Sequence, residues 1–295
     1  MQQSLLEINA ERNRRFLQRA EELAQKRIEK SIAALEKKII RLVDKLDVTD
    51  TDRLVATKTN LVQAREMRKQ LVKVYASTYG TAYETSVKGY DTVARRIRTS
   101  FKELGEAVSF TGTDRAMITE LKRASMGQFA QYGAAAQERI HSALYHHVLT
   151  GEKMTELKRV VKGHLTGYKD VAGRPMVQYA RQHAVDTVNN FYNQVTIKKA
   201  DDIGMTYYKY VGNAMYNTRY FCARRIGHVY SKKTVQSWMH PWEGKAGPAL
   251  IYRGGYNCRH DWQPVREDWI EDKTKIDSYN KVARRSRKGR KRRKR

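Results

Sequence analysis

The sequence is poor in cysteine, in proline and in acidic side chains. Its 295 residues include two cysteines and four prolines, and no proline precedes residue 175. Two cysteines are too few for a disulfide scaffold and indicate a reducing compartment. Proline removes a backbone donor and clashes with the preceding turn, so its absence from residues 1–174 permits long uninterrupted helices.

Long apolar runs and a charge balance are missing as well. No stretch of about 18 apolar residues occurs, which predicts no transmembrane span, and the charged start MQQSLLEINAERNRR predicts no secretory signal. The 58 lysines and arginines outnumber 31 acidic residues, for a formal net charge of +27. Such an excess predicts a partner of opposite charge, with nucleic acid ahead of an anionic membrane.

A repeat of apolar residues at intervals of four and three marks the N-terminal part, as on one face of a helix: Ile28, Ile32, Leu35, Ile39, Leu42 and Leu46. The earlier set Phe16, Ala20 and Leu23 is out of phase with it. We predict a first helix over about residues 5–46 and a helical hairpin over about 5–90. The second helix would carry Leu54, Leu61, Met67, Leu71 and Val74, and Thr49 with Asp52 would form its capping box.

Glycines divide the region that follows. Those at positions 80, 89, 105 and 112 predict shorter helices or loops over residues 80–112, and the pattern from Thr113 is helical up to Gly151. KMTELKRVVKGHL predicts a short helix. Pro175 fits the first turn of a later helix that ends at Gly204, with one apolar stripe: Val177, Ala180, Ala184, Val188 and Phe191 or Tyr192.

The stretch from Tyr207 to Pro264 holds both cysteines, three of the four tryptophans and three of the four prolines. It predicts a small α+β module of about 60 residues, which is too small to be stable unless it packs on the preceding helix. In order, we predict a strand over Met205–Val211, a short helix over Asn217–Ile226 closed by Gly227, a strand from Val229, a helix capped by Ser231, and an extended segment YNCRHDWQPV.

The order of these pieces resembles the Mu F-like head morphogenesis family of tailed bacteriophages, also called minor head or minor capsid proteins. The pieces are YARQHAVDTVNNFYNQ, YYKYV, NTRYFCARRIGHVYS and GGYNCRHDWQPV. The resemblance covers roughly residues 150–265, and His260 departs from it, because many relatives have a second cysteine there. The matching residues of the module core motif are Thr218, Arg219, Cys222, Gly227, Asn257, Cys258, Arg259 and Pro264.

The resemblance implies a structural protein inside the phage head near the portal, present in the host cytoplasm during assembly. The implied partners are the portal protein, with the major capsid or scaffold protein as further candidates, and packaged double-stranded DNA. We expect no enzymatic activity, no cofactor and no small-molecule substrate, and a membrane is not the expected partner.

A basic tail supports contact with DNA. Residues 281–295 contain eleven lysines and arginines and no acid, which predicts disorder of the free tail and binding to phosphates without base readout. The predicted DNA-binding residues are Lys281, Arg284, Arg285, Arg287, Lys288, Arg290, Lys291, Arg292, Arg293, Lys294 and Arg295.

Cysteine and histidine residues of the module offer four potential metal ligands, the number that a structural zinc requires: Cys222, His228, Cys258 and His260. In an extended strand, Cys258 and His260 would share a face but lie about 7 Å apart. We therefore predict no metal and expect two small buried thiols. A zinc site and a Cys222–Cys258 disulfide are the alternatives.

Together these features predict a mainly α-helical protein with a long N-terminal helical hairpin and helical region over residues 1–150. A small C-terminal α+β module with its supporting helix follows over 151–270, and a disordered basic tail over 271–295. One alternative function is a metal-dependent nuclease with His228 or His260 beside Asp261. The other is a virion protein that is ejected with the DNA and acts at a membrane through its amphipathic N-terminal helix.

Overall fold

The computed structural model describes residues 2–168, 171, 174–238, 247–255 and 258–278. Asn257 and the predicted DNA-binding tail from Lys281 lie outside the described residues, as do the side chains of Leu71 and Val74. The predictions for these positions therefore stay predictions.

The chain is mainly α-helical and carries a small C-terminal sheet, as predicted. Five helices come first: α1 (Gln2–Val43), α2 (Lys58–Glu103), α3 (Gly112–Thr150), α4 (Met154–Leu165) and α5 (Met176–Asp202). The module follows as β1 (Tyr207–Val211), α6 (Tyr220–Ala223), β2 (Val229–Ser231), α7 (Lys232–Ser237), α8 (Ala249–Tyr252) and β3 (Asp261–Val265), with short 3-10 helices at Glu267–Trp269 and Lys273–Lys275. None of the helices in the described part of the chain is long and apolar enough to cross a membrane.

Contacts group the described residues into two compact units. The sheet unit contains those of Met1–Ala20, Asp91–Ile118 and Asp186–Arg295, and the hairpin unit contains Glu21–Tyr90 and Thr119–Val185. Each unit is assembled from separate stretches because the long helices contribute residues to both. The division of the chain into segments 1–150, 151–270 and 271–295 stays a prediction.

In the hairpin unit, the predicted apolar stripe of α1 is buried. Ile28, Ile32, Leu35 and Ile39 are each at most 3% exposed. Leu42 is only half-buried, and Val43 takes the next inward position. Leu23, which is out of phase with this stripe, is 54% exposed, and Ala24 continues the buried stripe toward the N-terminus.

The predicted capping box at Thr49 and Asp52 was wrong. Helix α2 begins later, at Lys58, and the Thr57 hydroxyl accepts the backbone N–H of Asn60 at 3.1 Å. Asp52 caps a different helix, because its carboxylate accepts the backbone N–H of Thr155 in the first turn of α4 at 3.1 Å. Of the predicted pair, Asp52 therefore caps α4, whereas the Thr49 hydroxyl accepts the backbone N–H of Arg53 at 3.2 Å within the loop.

The prediction of shorter helices or loops over residues 80–112 was wrong for residues 80–103, because α2 continues through Gly80 and Gly89 to Glu103. Residues 104–111 lie outside any helix, as predicted. The helix ends where Gly105 adopts φ +80, with N–H bonds from Gly105 to Lys102 O and from Glu106 to Phe101 O. This pair of bonds is a Schellman motif. Buried residues in the last turns, including Val93, Ile97 and Phe101, offset the low helix propensity of glycine.

In the sheet unit, three antiparallel strands have the order β2-β1-β3. Tyr208 of β1 lies opposite Tyr230 on one side and Pro264 on the other. Val265 packs in an apolar cluster with Leu6 of α1 and Leu104 beyond α2, and Asn193 of the supporting helix α5 donates to Ile251 O at 3.0 Å. The module is therefore braced by α5, as predicted, and also by the chain's first helix.

Candidate functional site

Strand β1 carries Tyr210 into a fully buried aromatic cluster of the sheet unit. Its ring lies 4.3 Å from that of Trp262 on β3 and 6.1 Å from that of Phe221 on α6, measured between centroids. The Trp262 indole N–H is satisfied by Ala249 O at 2.9 Å, so this large side chain is buried without loss of its hydrogen bond. These contacts fix the direction of the Tyr210 hydroxyl.

The Tyr210 hydroxyl lies close to the sulfur atoms of both cysteines. It lies 3.3 Å from Cys222 Sγ and 3.6 Å from Cys258 Sγ, and the two sulfurs are 3.7 Å apart. Both thiols are free and at most 2% exposed. The cysteines therefore form one buried pair, as expected, although they are separated by 36 positions in the sequence.

His260 joins this pair. Its Nδ1 lies 3.7 Å from Cys258 Sγ, and ligand atoms of Cys222, Cys258 and His260 all lie within 4.8 Å of one another. The separation of about 7 Å expected for an extended strand was wrong. Gly255 at φ +94 turns the chain, Cys258 N–H bonds to Gly255 O at 3.0 Å, and β3 starts only at Asp261.

Two glycines make room for the cluster. A β-carbon at Gly254 would lie 2.2 Å from Cys222 Sγ and 3.0 Å from Cys258 Sγ, which no structure tolerates without a shift. The backbone N–H of Gly254 also donates to Cys258 Sγ at 3.3 Å. Gly212, at φ +141, would place a β-carbon 2.5 Å from the His260 ring. Glycine is thus required at both positions by the close approach of a side chain.

The thiols share one hydrogen bond, and their acidities diverge. The hydrogen bond from Cys222 lowers the pKa of Cys258, against the opposing effect of burial. The same bond, together with burial, raises the pKa of Cys222. Burial raises the pKa of Tyr210 well above its ordinary value. The hydrogen bond between the sulfurs therefore shifts the pKa values of the two thiols in opposite directions.

The other residues named from the sequence lie around the cluster rather than in it. His228 is separate, because its Nδ1 faces the Ser278 hydroxyl at 3.1 Å. Arg219 donates to Gly254 O at 3.3 Å, and the Thr218 hydroxyl accepts Met215 N–H at 2.6 Å. The helix predicted over Asn217–Ile226 with Gly227 as its cap is shorter than predicted, because α6 ends at Ala223 with Arg224 as its C-cap, and Gly227 at φ +83 lies in the turn that follows. Of the remaining motif residues, Pro264 is buried on an edge strand and Arg259 is exposed.

Asp261, the acid of the nuclease hypothesis, forms an ion pair with Arg253. Its carboxylate accepts Arg253 Nη1 at 3.1 Å, and Arg253 is 1% exposed. Burial raises the pKa of Asp261, although Arg253 opposes this effect. The His260 ring nitrogens face Cys258 Sγ and, at 3.2 Å, Asn213 O. The nuclease stays a hypothesis, and this geometry offers it no free acid beside His260.

Sequence reasoning missed Tyr210 and the packing role of Gly254. The alternation of YYKYV places Tyr208 and Tyr210 on one face of β1, and both are fully buried. That signal identifies a core face but not the cysteines that meet it. Only the turn at Gly255 and the position of α6 bring the sulfurs to the Tyr210 hydroxyl.

Comparison of the chain with protein-family models, with curated proteins and with solved structures gave no match.

Proposed function

We propose that this chain is a structural minor head protein of a tailed bacteriophage, bound inside the capsid near the portal. Its helical N-terminal region docks on the portal, with the major capsid or scaffold protein as further contacts. Its basic tail contacts packaged double-stranded DNA without sequence specificity. It acts without catalysis.

One observation carries the proposal: the two halves of the module core motif meet in space. Arg219 donates to Gly254 O, and Cys222 lies beside Cys258, although 35 and 36 positions separate the partners. Residues from both halves of the motif therefore belong to one packed structure, the kind of rigid adaptor that an architectural role requires. The net charge of +27 supports the same role, since confined DNA needs neutralising partners.

The location is tested on particles produced by the genome that encodes the chain. We expect mass spectrometry of purified particles to detect the chain in a few copies, with the major capsid protein as positive control and an early replication protein as negative control. Cryo-electron microscopy should place extra density at the portal vertex. Absence of the chain from mature particles would contradict the proposal.

The competing nuclease function has its own test. Full-length protein is incubated with supercoiled plasmid and Mg²⁺, Mn²⁺ or Zn²⁺, and we expect no nicking. Metal-dependent nicking that disappears in His260→Ala but persists in His228→Ala would replace the structural proposal with an enzymatic one.

A further inference from the structure

We propose that Cys222, Cys258 and His260 bind one zinc ion in the interior of the sheet unit, with the Tyr210 hydroxyl at the fourth corner. The ligand atoms of the first three already lie within 4.8 Å of one another. Such a site would tie α6, β1 and the segment before β3 to a single ion.

Two of the three distances among Cys222, Cys258 and His260 match a tetrahedral zinc site, and the third, between Cys222 and His260, is at most 4.8 Å. With bonds of about 2.3 Å to sulfur, two thiolates of a tetrahedral zinc site lie about 3.8 Å apart, and the sulfurs here are 3.7 Å apart. A sulfur and an imidazole nitrogen bonded at about 2.0–2.1 Å lie about 3.6 Å apart in such a site, against 3.7 Å for Cys258 Sγ and His260 Nδ1. No rearrangement of Cys258 relative to its two neighbours is needed.

The orientation of His260 is that of a metal ligand. Its Nε2 lies 3.2 Å from Asn213 O, so the proton is held on that nitrogen and the lone pair of Nδ1 faces the sulfurs. Metal-binding histidines typically donate their second ring nitrogen to a carbonyl in this way. The Gly254 N–H bond to Cys258 Sγ, at 3.3 Å, stabilises negative charge on that sulfur.

The Tyr210 hydroxyl supplies the proposed fourth ligand. The Tyr210 hydroxyl lies 3.3 and 3.6 Å from the two sulfurs, close to the roughly 3.5 Å separating sulfur from an oxygen ligand of tetrahedral zinc. Two soft thiolates with one imidazole favour zinc over magnesium or calcium, which prefer oxygen ligands. The site is buried and has no open position, which is typical of a structural ion.

Metal analysis of full-length protein tests the site. We expect one equivalent of zinc after purification without chelator, loss of the ion in Cys258→Ser and His260→Ala, and retention in His228→Ala. His228→Ala is the matched control, since it removes a histidine of the same module that lies outside the cluster. Cobalt substitution of the wild type should give thiolate charge-transfer and tetrahedral ligand-field absorption.

Because the cysteine variant can fail to fold, the wild type is also measured alone. Chelator-treated protein should melt at a lower temperature than the same sample with equimolar zinc. An unchanged melting temperature, equimolar iron or copper in place of zinc, or a Cys222–Cys258 disulfide in protein purified under reducing conditions would overturn the proposal. Tyr210→Phe should bind zinc more weakly, and an unchanged affinity would remove Tyr210 from the ligand set.

Discussion

At the scale of single residues, Gly254 is the position where the smallest change should have a large effect. Gly254→Ala forces a β-carbon to within 2.2 Å of Cys222 Sγ. Overpacking of a core costs about 1–3 kcal/mol, so we expect the free energy of unfolding to fall by that amount in urea titrations monitored by tryptophan fluorescence.

Gly89→Ala is the matched control for this substitution. Gly89 lies within α2, and a β-carbon there meets nothing within 4 Å. Alanine in a helix is favoured over glycine by roughly 0.5–1 kcal/mol, so this variant should be slightly more stable than the wild type. Equal destabilisation of the two variants would contradict the close approach at Gly254.

Lys199 is a second residue where a substitution should strongly affect stability, because its charged side chain is only 1% exposed. Its Nζ donates to Asp114 Oδ2 at 2.5 Å, to Asp202 Oδ2 at 2.8 Å and to Ser109 O at 2.8 Å. These bonds join α5 to the start of α3 and to the loop before it, all within the sheet unit. A buried charge is tolerated here because all three donors are satisfied.

Lys199→Met should lower the free energy of unfolding by about 3 kcal/mol, because it leaves the buried Asp114 without its cation. Lys198→Met is the control. Lys198 pairs with Asp202 from a 41% exposed position, and such surface pairs contribute about 0–1 kcal/mol. Chemical denaturation at pH 7 measures both, and equal effects would contradict the special role of Lys199.

The effect of Lys199→Met should depend on pH. Burial opposes ionisation of Asp114, but the bonds from Lys199 and Thr111 outweigh it and lower its pKa. The contribution of ionised Asp114 to the free energy of unfolding is therefore complete above its ordinary pKa of 3.8. It is lost as the pH falls through the lower pKa of the folded state. The pKa of Lys199 is raised against burial by Asp114 and Asp202, so that contribution is lost as the pH rises through a value above 10.5.

Plots of the free energy of unfolding against pH for wild type and Lys199→Met should therefore differ most between pH 3.8 and pH 10.5, the ordinary pKa values of Asp114 and Lys199. The two plots should converge in strong acid. A difference that stays constant down to pH 2 would show that lost packing, rather than the ion pair, causes the destabilisation.

At the scale of elements, helix ends are set by caps that are specific to each end. Helix α3 starts with a capping box, in which Thr111 N–H bonds to Asp114 Oδ2 at 2.7 Å and Asp114 N–H bonds to Thr111 Oγ1 at 3.3 Å. This is the arrangement predicted for Thr49 and Asp52. A spacing of three residues is therefore necessary but does not identify which pair forms the box.

Ser231 is the N-cap of helix α7, as predicted, and its contribution to stability can be measured. The Ser231 hydroxyl accepts Thr234 N–H at 3.2 Å, and Asp277 Oδ2 lies within 3.1 Å of the same hydroxyl. Ser231→Ala should cost about 1 kcal/mol, the typical loss for an N-cap serine. Gln236→Ala, at an exposed position of the same helix, should change stability by less than about 0.5 kcal/mol. Thermal denaturation of the pair measures the difference.

At the scale of the whole molecule, the charge distribution predicts how DNA binding responds to salt. Truncation after Asn280 removes eleven basic residues. Each phosphate contact contributes a slope of about −0.9 to the dependence of log affinity on log salt, so full engagement of the tail would contribute about −10. We expect affinity for duplex DNA at about 0.1 M salt to fall more than about tenfold, with a much shallower slope.

A full-length variant with Arg290, Arg292, Arg293 and Arg295 changed to glutamine separates charge from length. It should lose roughly four-elevenths of the tail's contribution to the slope, because counterion release scales with the number of contacts. Filter binding of unrelated DNA sequences should give equal affinities. If the chain truncated after Asn280 retains DNA as well as the full-length chain does, the tail is not the segment that binds DNA.

Local signals in the sequence determined the helical class, most helices, the strands of the module and the buried face of α5. Apolar periodicity, proline placement and turn glycines act over a few residues and are visible without a partner. The same signals were misleading at Gly80 and Gly89, where packing of later turns outweighs local propensity. They were also incomplete in α1, where the polar residues Asn9 and Asn13 are buried and interrupt the apolar stripe.

Which residues share a site depends instead on how separate elements pack together. Asn9 meets Ser100 and Gln263, and Cys222 meets Cys258 and His260, across separations that no pattern in the chain encodes. The physical reason is that hydrogen bonds between side chains and ligand geometry depend on distances of a few ångströms between elements. Those distances are set by the packing of all the elements together, whereas periodicity and caps are set by neighbours along the backbone.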